Sequence, residues 1–327
     1  MKKLISLVLP VYNEAENIGP LYKDIIGVFT LLHKQHDTEL IFVNDGSTDS
    51  SPTILANLAA KDQNVYVINL SRNFGHQIAI TAGLDFAAGD AVITMDSDLQ
   101  DPPKVCPKLI RKWEAGYEVV YAERRKRNGE SLFKRISAKW FYKIINSMSD
   151  TDIPQNVGDF RLLDRRVLDQ LKRFGEHQRF IRGLVGYIGF NQTSVLFDRP
   201  ARQNGKTNYS LAKMWRLASD GMMGFSTMPL KIISRLGYVI ALFSMLMILY
   251  TIWVKLFEPE RAVEGWAFVT VSIFFIGGVQ LIMLGLIGSY IARTYTEAQN
   301  RPLYIVSSVR SKKAVPKTAS SKSKARL

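Results

Sequence analysis

The chain has 327 residues, enough for one large domain or two small ones, and a formal net charge of +14. Residues 1–198 carry 25 Lys and Arg against 24 Asp and Glu, whereas residues 199–235 carry 7 against 1 and residues 293–327 carry 9 against 1. A polyanion-binding domain would have a basic face of its own, so this distribution argues against nucleic acid as a partner. The single cysteine, Cys106, excludes an intrachain disulfide and a cysteine-rich metal site.

Residues 1–198 alternate between strand-like and helix-like patterns. The amino-terminal apolar run is too short for a signal peptide and is interpreted as the first strand. The predicted strands cover residues 4–10, 39–44, 65–70, 91–95 and 118–122, and the predicted helices cover residues 16–35, 51–61, 76–87 and 103–115. This alternation predicts an α/β domain with a mostly parallel sheet, in which ligands bind beyond the carboxyl ends of the strands.

Polar residues stand at the ends of three of these strands. The first strand ends in PVYNEAE, the second in VNDGSTDSS and the fourth in MDSDLQDPP. Because the carboxyl ends of parallel strands meet at one rim, we expect the three groups to converge. Asp49 or Ser50 suits the capping of the following helix, whereas Asp45 comes too early for a cap and is interpreted as a ligand contact.

The segment after the fourth strand is rich in carboxylate and amide side chains. Alternate residues of an extended chain point to the same side, so Asp96, Asp98 and Gln100 are predicted to share one side. Their oxygens suit a hard divalent cation. A solvated acidic turn is the alternative.

Two apolar segments predict membrane spans. Residues 236–254 and 266–292 contain no charged side chain, and each is long enough to cross a bilayer, whereas a buried helical hairpin is the alternative. We assign the spans to 236–257 and 266–292, with a loop at 258–265 that holds three Glu and one Arg. Because both outer flanks are basic, the loop is predicted to be external and both termini cytoplasmic, in a plasma or inner membrane.

Basic segments flank the predicted spans. Residues 199–235 contain an amphipathic helical pattern after Tyr209, which indicates a helix lying in the headgroup region or packing on the soluble domain. Residues 293–327 are interpreted as a basic cytoplasmic tail, largely disordered after 309. Gly285 and Ser289 form a small-residue pair that fits either packing between the two spans or a homo-oligomer.

Six strings occur in the order found in a known family: VLPVYNEAENI, FVNDGSTDSS, LSRNFGHQIAITAGLDFAAGD, MDSDLQDPP, GDFRLLDRR and RQNGKTNYS. Over residues 4–235 the chain resembles glycosyltransferase family 2, and within it the polyprenyl-phosphate sugar transferases, which include dolichyl-phosphate mannose synthase and the bactoprenol glucosyltransferases. The resemblance implies a Rossmann-like GT-A domain over 1–198, followed by the amphipathic juxtamembrane helix and two transmembrane helices. It also implies a nucleotide-sugar donor, Mg²⁺ or Mn²⁺, and a lipid phosphate acceptor.

The same resemblance assigns roles to individual residues. The residues implied to hold the nucleotide are Pro10, Tyr12, Glu14, Val43, Asp45, Asp96 and Ser97. Asp96, Asp98 and Gln100 are implied to hold the metal ion. Arg124 and Arg202 would face the phosphates. The family usually has Arg-x-x-Gly-x-Ser-Lys-Tyr in the last string, whereas Thr207 and Asn208 replace the Ser and Lys of that motif here.

Asp159 is the candidate catalytic carboxylate implied by the resemblance, and pairing with Arg161 is the alternative role. The basic run at 123–139 supplies Arg127, Lys134 and Arg135, which are candidates for contact with the acceptor phosphate. A solvated basic loop is the alternative for that run.

The leading hypothesis is therefore an inverting transfer of a hexose to polyprenyl phosphate, with UDP-glucose and undecaprenyl phosphate preferred. A processive polysaccharide synthase is less favoured, because QRFIRG lacks the Trp of the usual Gln-x-x-Arg-Trp motif and two helices make a poor channel. A catalytically silent nucleotide-binding scaffold is the third hypothesis. A scaffold of this kind should have lost a metal ligand, whereas all three predicted ligands are kept.

Overall fold

The computed structural model describes residues 2–125, 157–177, 179–198 and 265–313, together with isolated positions between 237 and 257. These residues belong to two compact units. The first contains the described residues up to 198 and residues 302–313, and the second contains the described residues between 237 and 301.

The first unit is built on an eight-stranded sheet. In chain order its strands are β1 (Lys3–Val11), β2 (His36–Asn44), β3 (Val65–Leu70), β4 (Ala91–Thr94), β5 (Val119–Arg124), β6 (Val157–Asp164), β7 (Gln192–Phe197) and β8 (Val306–Arg310). Their order across the sheet is β7-β5-β6-β4-β1-β2-β3-β8. The block β3-β2-β1-β4 is parallel, so the carboxyl ends of β1, β2 and β4 share one rim, as predicted.

Helices connect these strands and cover the sheet. They are α1 (Ala15–Leu32), α2 (Ser51–Lys61), α3 (His76–Phe86), α4 (Cys106–Glu114), α5 (Arg165–Leu171) and α6 (Ile181–Ile188), with a 3₁₀ turn at Pro103–Val105. Apolar side chains on one face of β1 and β2 pack against α1, α2 and α4 in the main core, which includes Leu7, Leu9, Ile18, Leu21 and Phe42.

Helix α3 approaches the other face of the sheet closely at Gly83. A Cβ at this position would lie 2.2 Å from Val8 Cγ1 and 3.0 Å from Val43 Cγ2. Only glycine therefore allows the helix to pack at this distance from β1 and β2.

The predicted elements up to residue 124 are confirmed, with shifted boundaries. Strand β2 begins at His36 and not at residue 39, because Lys3 to Ile5 of β1 pair with His36 to Thr38. Helix α1 correspondingly ends at Leu32. The predicted helix 103–115 begins as a 3₁₀ turn after Pro102.

Strand β6 was not predicted from the sequence. It pairs antiparallel with β4 on one side and β5 on the other, and so stands inside the sheet. This position brings Asp159 to the rim formed by the parallel strands. Asp164 ends β6 and begins α5, and its carboxylate accepts hydrogen bonds from the backbone N–H of Arg166 and from Trp113 Nε1.

The carboxyl-terminal part of the chain also contains a strand that the sequence did not predict. Strand β8 pairs antiparallel with β3, with Ile68 opposite Val309 and Val67 opposite Arg310. The strand reaches Arg310, one residue into the part of the tail that was predicted to be largely disordered. The edge of β3 offers unpaired backbone groups, and the Val residues of β8 suit a strand that covers them.

The second unit contains a long apolar helix, α7 (Trp266–Ala298). Within the described residues, one helix segment is long and apolar enough to cross a membrane, and it is Phe275–Ala298. Helix α7 begins at the predicted residue 266 but continues past the predicted end at 292. It ends before Asn300, whose φ is 45°, and Pro302. The other predicted span lies mostly outside the described residues, although its described positions, from Gly237 to Phe257, are helical.

Candidate active site

Asp45, at the end of β2, holds the loop that leads into α3. Its carboxylate is buried and accepts backbone N–H bonds from Phe74 at 2.7 Å and Gly75 at 2.9 Å. Burial raises the pKa of Asp45, and these two N–H groups oppose the rise. The next residue, Gly46, has φ of 68°, and a Cβ there would lie 2.5 Å from the carbonyl carbon of Arg72. Asp45 therefore shapes the rim by fixing the loop, in addition to the ligand contact predicted for it.

The loop after β1 is held by the loop after β2. Asn13 has a positive φ of 55°, its N–H donates to Ser47 Oγ at 3.0 Å, and its Oδ1 accepts from the Thr48 N–H at 2.8 Å. Next to these hydrogen bonds, Tyr12 is 47% exposed at the rim. The hydrogen bonds of Asn13 therefore hold the neighbouring Tyr12 at the rim, where its ring offers an aromatic surface on which a planar base can stack.

Of the two residues predicted to suit the capping of α2, Ser50 occupies the N-cap position without a side-chain capping bond, and Asp49 makes the side-chain bond to the start of the helix. Its Oδ1 accepts the Ser51 N–H of α2 at 3.0 Å, and its Oδ2 accepts the Ala15 N–H of α1 at 3.2 Å. These bonds hold the pKa of Asp49 below its usual value despite partial burial. One side chain thus satisfies donors at the starts of two helices.

The segment after β4 differs from the predicted extended strand. The strand ends at Thr94, residues 97–99 form a bend, and Leu99 has φ of 62°. The prediction that Asp96, Asp98 and Gln100 alternate along one extended side was therefore wrong in its geometry. The bend instead folds the segment on itself, and Asp98 Oδ1 accepts the Gln100 N–H at 3.1 Å.

The donor set of this bend fits a hard divalent cation by its chemistry. Two carboxylates and one amide oxygen lie within five residues, at the carboxyl end of a buried strand. Ser97, between them, is buried and donates to the Pro10 carbonyl at 2.8 Å, which ties the bend to β1. No cluster of three or more His, Cys, Asp and Glu residues with metal-binding geometry occurs among the described residues, so Gln100 would have to complete the set.

Asp159 is buried and bound on both carboxylate oxygens. Arg182 Nε donates to Oδ1 at 3.0 Å and Arg182 Nη2 donates to Oδ2 at 3.1 Å. Gln77 Nε2 donates to Oδ2 at 3.0 Å, and the Gln77 Oε1 accepts the Ile181 N–H at 3.2 Å. Gln77 and Arg182 therefore connect α3 and α6 to Asp159 on β6.

The charge on Asp159 is fixed by its neighbours. Burial opposes ionisation, but His76, Arg182 and Arg161 hold the pKa of Asp159 well below its usual range. The predicted pairing with Arg161 is present, with Arg161 Nη2 at 3.3 Å from Oδ1. A carboxylate in this state is a weak base, because proton acceptors work best with a pKa near the working pH.

His76 connects Asp159 to the bend after β4. Its Nε2 lies 3.3 Å from Asp96 Oδ1 and 3.4 Å from Asp159 Oδ2. Partial desolvation of the half-exposed ring opposes the charged form, but the carboxylates of Asp159 and Asp96 outweigh it and raise the pKa of His76 to about 10. At neutral pH the imidazolium therefore places a positive charge between two carboxylates.

Arg161 is fully buried beneath this group. Its guanidinium lies 5.4 Å from the centre of the Tyr121 ring, and burial lowers its pKa. Its Nε and Nη1 atoms have no hydrogen-bond partner within the part of the chain that the structure describes. Asp159 is thus the counter-ion that makes the burial of this arginine tolerable.

The structure brings together most of the predicted site residues at one rim. Those that follow the ends of β1, β2 and β4, or close these strands, are Pro10, Tyr12, Glu14, Asp45, Asp96, Ser97, Asp98 and Gln100, and Asp159 joins them through His76. Val43 stands one residue before the end of β2, and its side chain is fully buried near Gly83 of α3. Arg124 lies at the end of β5, and its guanidinium passes close to Gly158 of β6. A Cβ on Gly158 would be 2.7 Å from Arg124 Nη2. The remaining predicted residues, Arg127, Lys134, Arg135 and Arg202, lie outside the described residues.

Sequence reasoning missed His76, Gln77 and Arg182. The first two stand in the string LSRNFGHQIAITAGLDFAAGD and the third in QRFIRG, and neither string by itself assigns these three residues a role in the site. Polar side chains at the first positions of an otherwise apolar helix were the available signal for His76 and Gln77. Arg182 offered no signal, because nothing local connects it to a carboxylate 23 residues earlier.

Comparison with known proteins gives a consistent result. Residues 6–172 match Glycosyl transferase family 2. An uncharacterized glycosyltransferase of Synechocystis is 45% identical over 303 residues, which cover 93% of this chain and 94% of the relative. A prophage bactoprenol glucosyl transferase homolog of Escherichia coli K12 is 42% identical over 308 residues, covering 94% and 99%. The bactoprenol glucosyl transferase of Shigella phage SfV is 41% identical over 310 residues, again covering 94% and 99%.

Proposed function

Because this chain belongs to glycosyl transferase family 2, we propose that it transfers a hexose from a nucleotide sugar to a polyprenyl phosphate. The observation that carries the proposal is the similarity, over 94% of this chain, to relatives named bactoprenol glucosyl transferases. A match of 308 residues out of 327 cannot leave out the whole of α7, which has 33 residues. UDP-glucose and undecaprenyl phosphate are the preferred donor and acceptor.

The donor would bind at the rim where the parallel strands of this GT-A-like domain end. The exposed ring of Tyr12 would stack on the base, and the buried carboxylate of Asp45 would stand behind the base and its ribose. The other residues proposed to hold the nucleotide are Pro10, Glu14, Val43, Asp96 and Ser97. The hydrogen bonds of Asn13 to Ser47 and Thr48, and those of Asp45 to Phe74 and Gly75, support this assignment, because they fix the loops that would contact the nucleoside.

Asp96, Asp98 and Gln100 would hold Mg²⁺ or Mn²⁺ beside the diphosphate. The ion would neutralise the negative charge that develops on the leaving nucleoside diphosphate. Arg124 and Arg202 would add fixed positive charge at the same group. His76, whose Nε2 contacts both Asp96 and Asp159, would offset the negative charge of the two carboxylates as the donor binds.

Asp159 would act as a positioning group and not as a proton acceptor. An acceptor phosphate with a second pKa of about 6 is largely ionised at neutral pH, so its oxygen attacks the sugar without a base. The carboxylate, held by Arg182 and Gln77, would instead fix the α3 and α6 ends that border the reacting atoms. Transfer would form the bond from the phosphate oxygen to the anomeric carbon and break the bond to the diphosphate, with inversion.

The acceptor would approach from a membrane. Arg127, Lys134 and Arg135 are proposed to meet its phosphate, while its isoprenoid chain remains in the lipid. We further propose that two spans, 236–257 and 266–292, anchor the chain, with the catalytic domain on the cytoplasmic face. The apolar helix α7 supports membrane association.

The test is product analysis with purified full-length protein. The protein is incubated with polyprenyl phosphate and a panel of labelled nucleotide sugars, and the lipid products are separated. One labelled lipid carrying one hexose is expected, and UDP-glucose should give the highest yield. A long labelled polymer would instead favour a polysaccharide synthase. Nucleotide binding without any labelled product would favour the silent scaffold.

A further inference from the structure

Residues 302–310, which follow α7 in the chain and belong to the first unit, contact α3, the loop after β3 and strand β3 in ways that the proposed mechanism does not use. Tyr304 donates its hydroxyl hydrogen bond to Asp85 Oδ2 of α3 at 2.9 Å. The Ile305 carbonyl accepts the Ser71 N–H at 2.9 Å. Residues Val306–Arg310 then form β8 on the edge of β3. We call residues 302–310 the return segment.

The first route from the return segment to the donor rim runs through the loop 71–75. Its first residue, Ser71, is held by Ile305, and its last residues, Phe74 and Gly75, are held by Asp45. The Arg72 guanidinium lies 4.1 Å from the centre of the Phe74 ring, which stiffens the middle of the loop. The loop leads directly into His76. The return segment therefore fixes the beginning of the loop whose end carries a site residue.

The second route is a chain of side-chain hydrogen bonds across three strands. Asn69 Nδ2 donates to Ser308 Oγ at 3.1 Å, and Asn44 Nδ2 donates to Asn69 Oδ1 at 2.9 Å. Asn44 Oδ1 in turn accepts the Ser47 N–H at 3.0 Å, and Ser47 Oγ accepts the Asn13 N–H. Four hydrogen bonds thus connect β8 to the loop that presents Tyr12.

A cleft lies between the loop after β2, the end of β3 and strand β8. It has a volume of about 370 Å³ and is lined by residues of the β2 loop, the β3 end and β8, among them Ser47, Arg72, Ser308 and Arg310. Ser307 Oγ also donates to the Asn69 carbonyl at 3.0 Å. The return segment is therefore a wall of the rim and not a distant tail.

We propose that the return segment completes the donor site by holding the loops 44–48 and 71–75 in their binding positions, with Tyr304 and Ser308 as positioning residues. The inference rests on the proposed function, since it assumes that a nucleotide binds at this rim. Neither residue would touch the reacting atoms. Loss of the segment should therefore weaken nucleotide binding and leave the use of polyprenyl phosphate unchanged.

The decisive comparison uses two truncations of the full-length protein in lipid nanodiscs. One chain ends after Arg301 and lacks the return segment, and the matched control ends after Lys313 and keeps it. UDP and GDP are titrated in the presence of Mn²⁺, and hydrogen exchange is followed in peptides that cover residues 71–76. The shorter chain should bind nucleotide about tenfold more weakly and exchange faster in these peptides, whereas the control should match the wild type.

Point variants keep the test valid if the shorter chain does not fold. Tyr304→Phe and Ser308→Ala each remove one hydrogen bond, and we expect each to raise the KM for the nucleotide sugar about two- to tenfold at unchanged kcat. Ser308→Thr keeps the hydroxyl and should restore the wild-type KM. A change in the KM for polyprenyl phosphate with unchanged donor KM would overturn the proposal.

The outcomes separate this inference from the proposed function. If the wild type binds UDP or GDP and the chain ending at Arg301 binds it equally well, with unchanged exchange at 71–76, the return segment has no positioning role. If the wild type binds neither nucleotide, the proposed donor site itself is wrong, and the inference falls with it.

Discussion

Arg182 and Asp159 form a bidentate salt bridge, with Arg182 Nε 3.0 Å from Asp159 Oδ1 and Arg182 Nη2 3.1 Å from Asp159 Oδ2. The pair joins α6 to β6 across 23 residues of sequence. Because the guanidinium is planar and its donors are in fixed positions, it sets the direction of the carboxylate as well as its charge. Replacing either partner should therefore disturb the site geometry.

Arg182→Gln should lower kcat about 10- to 100-fold, because small displacements of positioning groups cost that much in rate. Arg182→Lys should not restore it, since one ammonium cannot make both bonds. Steady-state kinetics on folded protein give the measurement, and Arg173→Gln, an exposed arginine bonded to Gln170, is the control. Full activity of Arg182→Lys would show that charge alone is enough.

Asp164→Asn tests the electrostatic part of a helix cap. Despite partial burial, bonds from Trp113 and Arg166 hold the pKa of Asp164 below its usual value. The stabilisation from this charge is present above the unfolded pKa of about 3.9 and is lost as the pH falls through the lower folded value. Asn caps helices as well as Asp does, so the variant isolates the charge and should cost about 1 kcal/mol at pH 7.

Thermal unfolding of the wild type and Asp164→Asn at several pH values gives the measurement. The two midpoints should differ at pH 7 and converge below pH 4. A constant difference down to pH 3 would contradict an electrostatic origin.

Divalent-metal dependence is predicted from Asp96, Asp98 and Gln100. A chelator should abolish transfer, and Asp98→Asn should lower it strongly, because one of the two negative oxygen donors is lost. Binding of Mn²⁺ is measured independently by electron paramagnetic resonance of the free ion. Asp37→Asn, an exposed carboxylate at the start of β2, serves as the control. Undiminished activity in the chelator would refute the metal assignment.

Two glycine substitutions should have opposite effects on stability. Gly83→Ala places a Cβ 2.2 Å from Val8 Cγ1 and should destabilise the protein by about 1–3 kcal/mol through overpacking. Gly27→Ala in α1 meets no atom within 4 Å and should stabilise it by about 0.5–1 kcal/mol through helix propensity. Denaturant unfolding measures both. If Gly83→Ala changed the free energy of unfolding in the same way as Gly27→Ala, α3 would not pack closely on Val8.

The topology prediction is tested by chemical labelling. A cysteine at Ala262, in a Cys106→Ala background, should react with an impermeant thiol reagent in intact cells, because the loop 258–265 is predicted to be external. A cysteine at Ser320 should react only after the cells are opened. The reverse pattern would invert the orientation.

Local patterns were enough to predict the parallel core of the sheet. The apolar runs of β1 to β4 and the periodic apolar residues of the helices between them indicate locally which elements are buried. Alternating strands and helices of this kind permit few topologies. The polar residues at the ends of β1, β2 and β4 could be assigned to one rim for the same reason. Position alone also indicated that Asp49 or Ser50 would bond the start of α2, and Asp49 makes that bond.

Contacts between distant elements could not be predicted from these patterns. Periodicity shows that a strand is buried but not which strand it pairs with, so the position of β6, and with it the grouping of Asp159 with His76 and Arg182, came only from the folded chain. The left-handed conformation of Leu99 replaced the expected extended segment by a bend. Strand β8 was missed because it is short and polar, and only the edge of β3 makes its pairing favourable.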